Sequence, residues 1–167
     1  MVHLKILEIK PFMSKLLLQD VFDCFLLLEA SISTGNIFTI DGHRNRDFYT
    51  KEEYEELTAS EYALTPWYQL RHYCYDIIKG SRTPSQFKLI FQLSLPDLEQ
   101  LIQKAQVPFT VHDVNGLFLN IKYDGSSLSC ITGISLRLFS LDKSLEHAWD
   151  QKIQLWFEHA GIVFDLL

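Results

Sequence analysis

The sequence contains few cysteines, the residues that stabilise small secreted domains through disulfides and small metal-binding domains as ligands. Its 167 residues include only three cysteines, Cys24, Cys74 and Cys130, and no two of them form a C-x-x-C pair. This spacing is typical of reduced structural thiols and gives no support for a disulfide framework or a zinc site. We therefore expect neither a metal nor another cofactor.

Glycine is also scarce, with seven residues, and none of them lies in a phosphate-cradling loop. A serine nucleophile elbow and the H-E-x-x-H motif of metalloproteases are absent from the sequence as well. These absences disfavour an enzyme without deciding the question.

No long apolar run is free of charged residues. The most apolar stretch, residues 12–30, contains Lys15, Asp20, Asp23 and Glu29. A membrane span of about 20 residues would not accommodate these charges. The first residues alternate in polarity and lack the basic segment and apolar run of a secretory signal. We therefore expect a cytoplasmic protein with no membrane partner.

Basic residues are outnumbered, because 15 Lys and Arg stand against 21 Asp and Glu, for a net charge of −6. This balance gives no overall attraction to nucleic acid, so a nucleic-acid partner would require a local basic patch. A protein partner or self-association is favoured instead. The hydrophobic content of 47% and the twelve phenylalanines predict one packed domain at this chain length.

Apolar residues then reveal the order of the elements. Val2, Leu4 and Ile6 alternate as in a half-buried strand, and Pro11 should open a helix. A long strand and a returning strand follow in residues 25–40, joined by a Gly-Asn turn. This pattern predicts a strand, a helix and a hairpin.

The same order recurs from Phe87, which corresponds to Val2 after a shift of 85 positions. The second helix opens at Pro96, and a second hairpin turns at Asp124-Gly125. We predict an α+β fold with a largely antiparallel sheet, built from a degenerate duplicated β-α-β-β(-β) unit, although two such units could also coincide by chance. The predicted parts of this single domain are 1–47 (first unit), 48–86 (helical insert), 87–141 (second unit) and 142–167 (C-terminal helix and tail).

Two stretches carry a resemblance to a known family. Residues 115–121, 128–133 and 137–138 form an apolar strand, a turn and a T-G-x-x-x-R-L segment, and Thr39–Arg44 forms an imperfect second copy. These segments resemble part of one domain of the DNA polymerase sliding clamps. The resemblance implies a DNA-clamp-like fold but not DNA binding, because the two predicted helices offer few cations for phosphates. The opening also resembles an uncharacterised bacterial domain family of unknown function, which implies no activity.

The most polar segment follows the first predicted hairpin. There Asp41 and His43 are the candidate acid and base for a phosphate or carboxylate substrate. Four of the five arginines lie between residues 44 and 82, which suggests an anion-facing surface. The alternative is that they pair with the acidic run Glu52–Glu56 on a solvated surface. The anion-binding candidates are Arg44, Arg46, Arg71, His72 and Arg82.

The end of the chain, Phe164-Asp165-Leu166-Leu167, resembles short peptides that bind bacterial clamps. Phe164, Leu166 and Leu167 are therefore candidates for partner binding, unless the segment docks on its own domain.

Together these features favour a non-enzymatic interaction module that binds a protein or, with less support, nucleic acid. One alternative is a small phosphoester- or nucleotide-handling enzyme that uses the loop at Asp41, His43 and Arg44 together with Arg71 and His72. A second alternative is a structural subunit of an oligomer, which would expose an apolar patch.

Overall fold

The computed structural model describes residues 1–59 and 62–167. In these ranges the chain forms an α+β fold with a large antiparallel sheet, as predicted. The sheet is open and has eight strands, and five α-helices accompany it. The strands are β1 (His3–Ile6), β2 (Phe25–Ser33), β3 (Ile37–Asp41), β4 (Thr65–Pro66), β5 (Gln86–Leu93), β6 (Val114–Tyr123), β7 (Leu128–Leu136) and β8 (Phe164–Leu166). The helices are α1 (Ile9–Leu17), α2 (Lys51–Thr58), α3 (Trp67–Ile78), α4 (Leu95–Ala105) and α5 (Ser144–His159).

The sheet has the strand order β3-β2-β5-β6-β7-β1-β8, and the short β4 pairs with β2 next to the end of β3. Every pairing is antiparallel. The N-terminal strand β1 lies between β7 and β8, with His3 opposite Ile131 and Leu4 opposite Leu166. The two ends of the chain therefore meet at one side of the sheet.

The element order strand-helix-strand-strand occurs twice, first as β1-α1-β2-β3 and then as β5-α4-β6-β7. The pairing within the two units differs, because β5 pairs directly with β6 whereas β1 and β2 are not neighbours in the sheet. An internal duplication consequently stays a prediction.

Local sequence signals set the ends of several helices. The Ser94 hydroxyl accepts a hydrogen bond from the Asp97 N–H and caps α4, whose second residue is Pro96. At α5 the chain leaves the helix at Gly161, with a φ of 67°. Pro11 was predicted to open α1, but the helix begins two residues earlier, at Ile9. The proline lies in the first turn, where no intrahelical N–H donor is needed.

A single apolar core packs between the sheet and the helices α1, α3, α4 and α5. At its centre Phe22, Phe25 and Phe91 form a network of ring contacts that extends to tryptophans of α3 and α5. Helix α2 contributes no buried residue. Within the described ranges, no helix combines the length and the apolar character that a membrane crossing requires.

Candidate functional site

Asp41 and His43, the candidate acid and base, are in direct contact at the end of β3. The His43 Nδ1 atom lies 2.6 Å from the Asp41 Oδ1 atom, which also accepts a hydrogen bond of 2.9 Å from the His43 backbone N–H. These bonds, the backbone one first, lower the pKa of the Asp41 carboxyl below its ordinary value. Both side chains are exposed, so the pair stands on open surface.

Gly42 holds this pair in place. It is buried against β2, and a Cβ atom at this position would lie 1.8 Å from the Leu27 carbonyl oxygen. Its N–H donates to the Leu28 carbonyl oxygen, and its own carbonyl accepts from the Thr65 N–H. The Asp-Gly-His sequence therefore lets the chain pass close to β2 while the two polar side chains project outward.

The guanidinium of Arg71 is engaged away from this pair. It donates to the Asp23 carboxylate and to the Gln19 carbonyl oxygen, both in the connection between α1 and β2. Among the described residues, no hydrogen bond or ion pair joins Arg71 to the Asp-His pair. In the acidic run of α2, the charge partner of Glu55 is Lys51, at 4.0 Å.

The other anion-binding candidates occupy separate positions. The backbone N–H of Arg44 donates to the Ala63 carbonyl oxygen, and the Arg46 guanidinium lies 5.8 Å from the centre of a tyrosine ring in α2. The His72 ring contacts that of the adjacent tyrosine in α3, and Arg82 is exposed in the loop after α3. A shared anion site for these residues stays a prediction.

The C-terminal candidates lie at the edge of the sheet. Phe164 is half-buried and contacts the ring of Phe157, and the Leu167 N–H donates to the His3 carbonyl oxygen. The backbone of this segment thus extends the sheet, while the side chains of Leu166 and Leu167 are exposed.

A cleft that the sequence analysis missed lies between α1, α3 and the adjoining ends of β5 and β6. Its volume is about 330 Å³, within the range of roughly 300–1,000 Å³ that is usual for ligand sites. Almost all of the surface that lines it is apolar. The apolar lining residues are Ile9, Met13, Leu17, Leu18, Tyr75, Ile78, Pro84, Phe87 and Tyr123.

Charge in the cleft is of one sign. Among the described residues, its lining includes the exposed lysines Lys10 and Lys79 and no carboxylate. Asp76, outside the lining, binds the Lys79 ammonium at 2.8 Å and raises its pKa. Lys10 has no ion pair with any described residue, so its charge is available to a ligand at the mouth of the cleft.

Two hydroxyl groups of the cleft, those of Ser14 and Tyr123, already have hydrogen-bond partners. The Ser14 hydroxyl oxygen accepts from the Gln19 amide, and the Tyr123 hydroxyl donates to the Gly125 carbonyl oxygen. The described lining of the cleft offers mainly apolar contact, with positive charge from its two lysines. Each apolar lining residue resembles a core residue in the sequence, so only the fold shows that together they leave a gap.

Metal and thiol chemistry receive no support from the described part of the chain. It contains no group of three or more His, Cys, Asp or Glu side chains placed to hold a metal ion. Burial raises the pKa of the Cys74 thiol to about 12 and that of the fully buried Cys130 well above its usual value. Cys24 is exposed, but the side chains around its sulfur desolvate it and raise its pKa to about 11.

One family model matches the chain, over residues 15–165, and its description is "Family of unknown function (DUF5721)". No curated protein matches the chain. No solved structure matches either, so the resemblance to the sliding clamps is not supported.

Proposed function

Because the chain belongs to this family of unknown function, whose description names no activity, we propose a function from the cleft. The chain is a non-enzymatic binding module that receives an apolar, acid-flanked segment of a protein partner. The observation that carries this proposal is an apolar cleft whose charged lining residues, in the part of the chain that the structure describes, are both lysines.

The apolar lining supplies the driving force for binding. Transfer of apolar surface from water into such a cleft is worth about 25 cal/mol per Å². Leu18 at the edge of the cleft is 58% exposed, so a ligand would cover surface that now contacts water. Met13 can adapt its flexible thioether to different side chains, which suits a partner that inserts one or two aliphatic residues.

Lys10 supplies orientation and selectivity. Its charge, which has no ion pair with a described residue, attracts carboxylates that flank the apolar residues of a partner, and a basic segment would be repelled; Lys79 is already paired with Asp76. Exposed charges of this kind are screened over about 8 Å at physiological ionic strength, so binding should weaken as salt is added.

The test is an NMR titration of the ¹⁵N-labelled chain with a synthetic peptide in which glutamates flank two leucines. We expect resonances of α1 and α3 around the cleft to shift, and a lysine-flanked peptide of the same length to bind more weakly. A separate titration with decanoate measures whether the cleft binds a free amphipathic acid more tightly than the peptide.

Two matched variants locate the site. Leu18→Glu places a carboxylate at the cleft and should abolish binding, whereas Leu155→Glu changes a leucine of similar exposure on α5, at 46%, and should leave binding unchanged. Peptide binding that survives Leu18→Glu, or no peptide binding at millimolar concentration, would contradict the proposal.

The contact between Asp41 and His43 favours a second candidate function, a phosphoester- or nucleotide-handling enzyme. With Asp41 accepting a bond from the Nδ1–H group, the His43 Nε2 atom is free to take a proton from a substrate or water. Hydrolysis of p-nitrophenyl phosphate that is lost in His43→Ala would support this candidate. Absence of p-nitrophenyl phosphate hydrolysis by the unmodified protein would contradict this second candidate function.

A further inference from the structure

The strand β3 forms one edge of the sheet and is unusually open. It pairs with β2 on one side, and no other described strand pairs with its outer side. Four of its five residues are exposed, including Ile37 at 75% and Phe38 at 39%. Its outward N–H and C=O groups are therefore available to another strand.

Edge strands are commonly protected by lysine, proline, a bulge or very short length. The sequence Ile-Phe-Thr-Ile-Asp of β3 contains no lysine or proline, its pairing with β2 is regular, and its one charge comes at the last residue. The opposite edge, β8, has only three residues, with Asp165 in the middle. Among the described edge strands, β3 alone combines length, β-branched side chains and an unprotected backbone.

We propose that β3 is an interface between two copies of this chain. The two β3 strands pair antiparallel about a two-fold axis at Thr39, which joins the two eight-stranded sheets into one. An antiparallel edge pair is isologous, so a single self-complementary strand is sufficient to form it.

The sequence of β3 fits this register. Thr39 lies opposite Thr39 of the second copy, and Phe38 lies opposite Ile40 on both sides of the axis. Threonine pairs and aromatic–β-branched pairs both stabilise facing strands. Asp41 lies opposite Ile37, so the two carboxylates are at opposite ends of the pair and do not repel each other directly.

The same register continues the buried side of each sheet. Phe38 and Ile40 lie opposite Ile32 and Ala30 of β2, both of which are fully buried in the core. Pairing of two β3 strands would bring the half-exposed Phe38 and Ile40 of one copy against those of the other. The contact is small, so we expect a reversible dimer with a dissociation constant between micromolar and millimolar.

Disulfide trapping tests the register, in full-length protein that carries Cys24→Ser. The Cα atoms of directly opposite residues lie about 4.5–5.5 Å apart, a separation that a disulfide can span. Thr39→Cys should therefore cross-link into a dimer under mild oxidation. In this register Ile37 of one copy is four positions from Ile37 of the other, or about 13 Å, so Ile37→Cys should not cross-link. Equal cross-linking of the two variants, or none of Thr39→Cys, overturns the register.

Sedimentation equilibrium from micromolar to millimolar concentration tests the dimer itself. Thr39→Lys places two ammonium groups opposite each other at the axis and should abolish self-association. Gln86→Lys adds the same side chain at an exposed position of the central strand β5 and should leave the dimer intact, as should the cleft variant Leu18→Glu. A chain that is monomeric at every concentration, or a dimer that persists in Thr39→Lys, overturns the proposal.

Discussion

Replacement of Gly42 by alanine should strongly destabilise the fold. The new Cβ atom would lie 1.8 Å from the Leu27 carbonyl oxygen and 2.5 Å from the carbonyl carbon. Carbon–oxygen contacts in sheets are about 3.3 Å or longer, so the two backbones must separate by about 1.5 Å. Both neighbours are backbone atoms of a central strand, and no side-chain rotation can relieve the clash.

The magnitude follows from the bonds that this movement would break. The Gly42 N–H donates to the Leu28 carbonyl oxygen at 3.0 Å, and the Gly42 carbonyl accepts from the Thr65 N–H at 2.8 Å. Each hydrogen bond contributes a net 0.5–1.5 kcal/mol, roughly, and a buried group left unsatisfied costs about 1–3 kcal/mol. We therefore expect the free energy of unfolding to fall by about 2–4 kcal/mol, a large share of the roughly 5–15 kcal/mol of a typical domain.

Urea unfolding, followed by tryptophan fluorescence, measures this loss, and two further glycines calibrate it. Gly35 has no atom within 4 Å of an added Cβ, so Gly35→Ala should be neutral or slightly stabilising. At Gly116 the added Cβ would meet the movable side chains of Phe118 and Gln92 at 2.6 Å and 3.0 Å, so Gly116→Ala should be intermediate. A Gly42→Ala variant within about 0.5 kcal/mol of the parent, the range of ordinary surface substitutions, would refute the reasoning.

Three further predictions concern single side chains. Trp67→Phe removes the buried indole N–H that donates to the Leu16 carbonyl oxygen, so urea unfolding should show a loss of about 1–3 kcal/mol, and an unchanged midpoint would contradict this. Labelling of the native protein with a disulfide reagent should modify Cys24 alone. The labelling rate should still rise at pH 9–10 because the pKa of the Cys24 thiol is about 11, and a rate that levels off near pH 8 would contradict this raised pKa. Asp124 accepts four hydrogen bonds from two serines of the β6–β7 turn, and these bonds lower the pKa of its carboxyl. The ionised carboxyl therefore contributes stability that is present above its unfolded pKa of about 3.9 and is lost as the pH falls through its folded pKa. A side-chain NMR titration of Asp124 with a midpoint near 3.9 would exclude this contribution.

The fold class was predictable because the signals that define it are local. The Gly35-Asn36 and Asp124-Gly125 turns each join two strands that pair with each other, so residues close in sequence are also close in the sheet. Alternation from Phe87 to Leu93 correctly gave the buried face of β5. Turn chemistry and a period of two residues are sufficient for hairpins and for the choice of face.

The order of the strands could not be obtained in this way. Alternation at Leu4 and Ile6 shows which side chains of β1 are buried, but it does not identify β7 and β8 as the neighbours. Those partners lie more than a hundred residues away, and their choice depends on how the helices fill the core. The cleft could not be predicted for the same reason, since its lining runs from Ile9 to Tyr123 and each apolar residue alone fits a buried position.

The two proposed surfaces, though independent, would have a joint consequence. Antiparallel pairing at a sheet edge has its two-fold axis perpendicular to the sheet, so both clefts of the dimer would open on the same, helix-covered face. The strands between them would be β5, β2 and β3 of each copy, and five spacings of about 4.8 Å put the two β5 strands roughly 24 Å apart. A partner with two acid-flanked apolar segments could then bind both clefts, with the second contact strengthened by its high effective concentration. A partner with one segment would gain nothing from the dimer, because neither cleft includes a residue of β3.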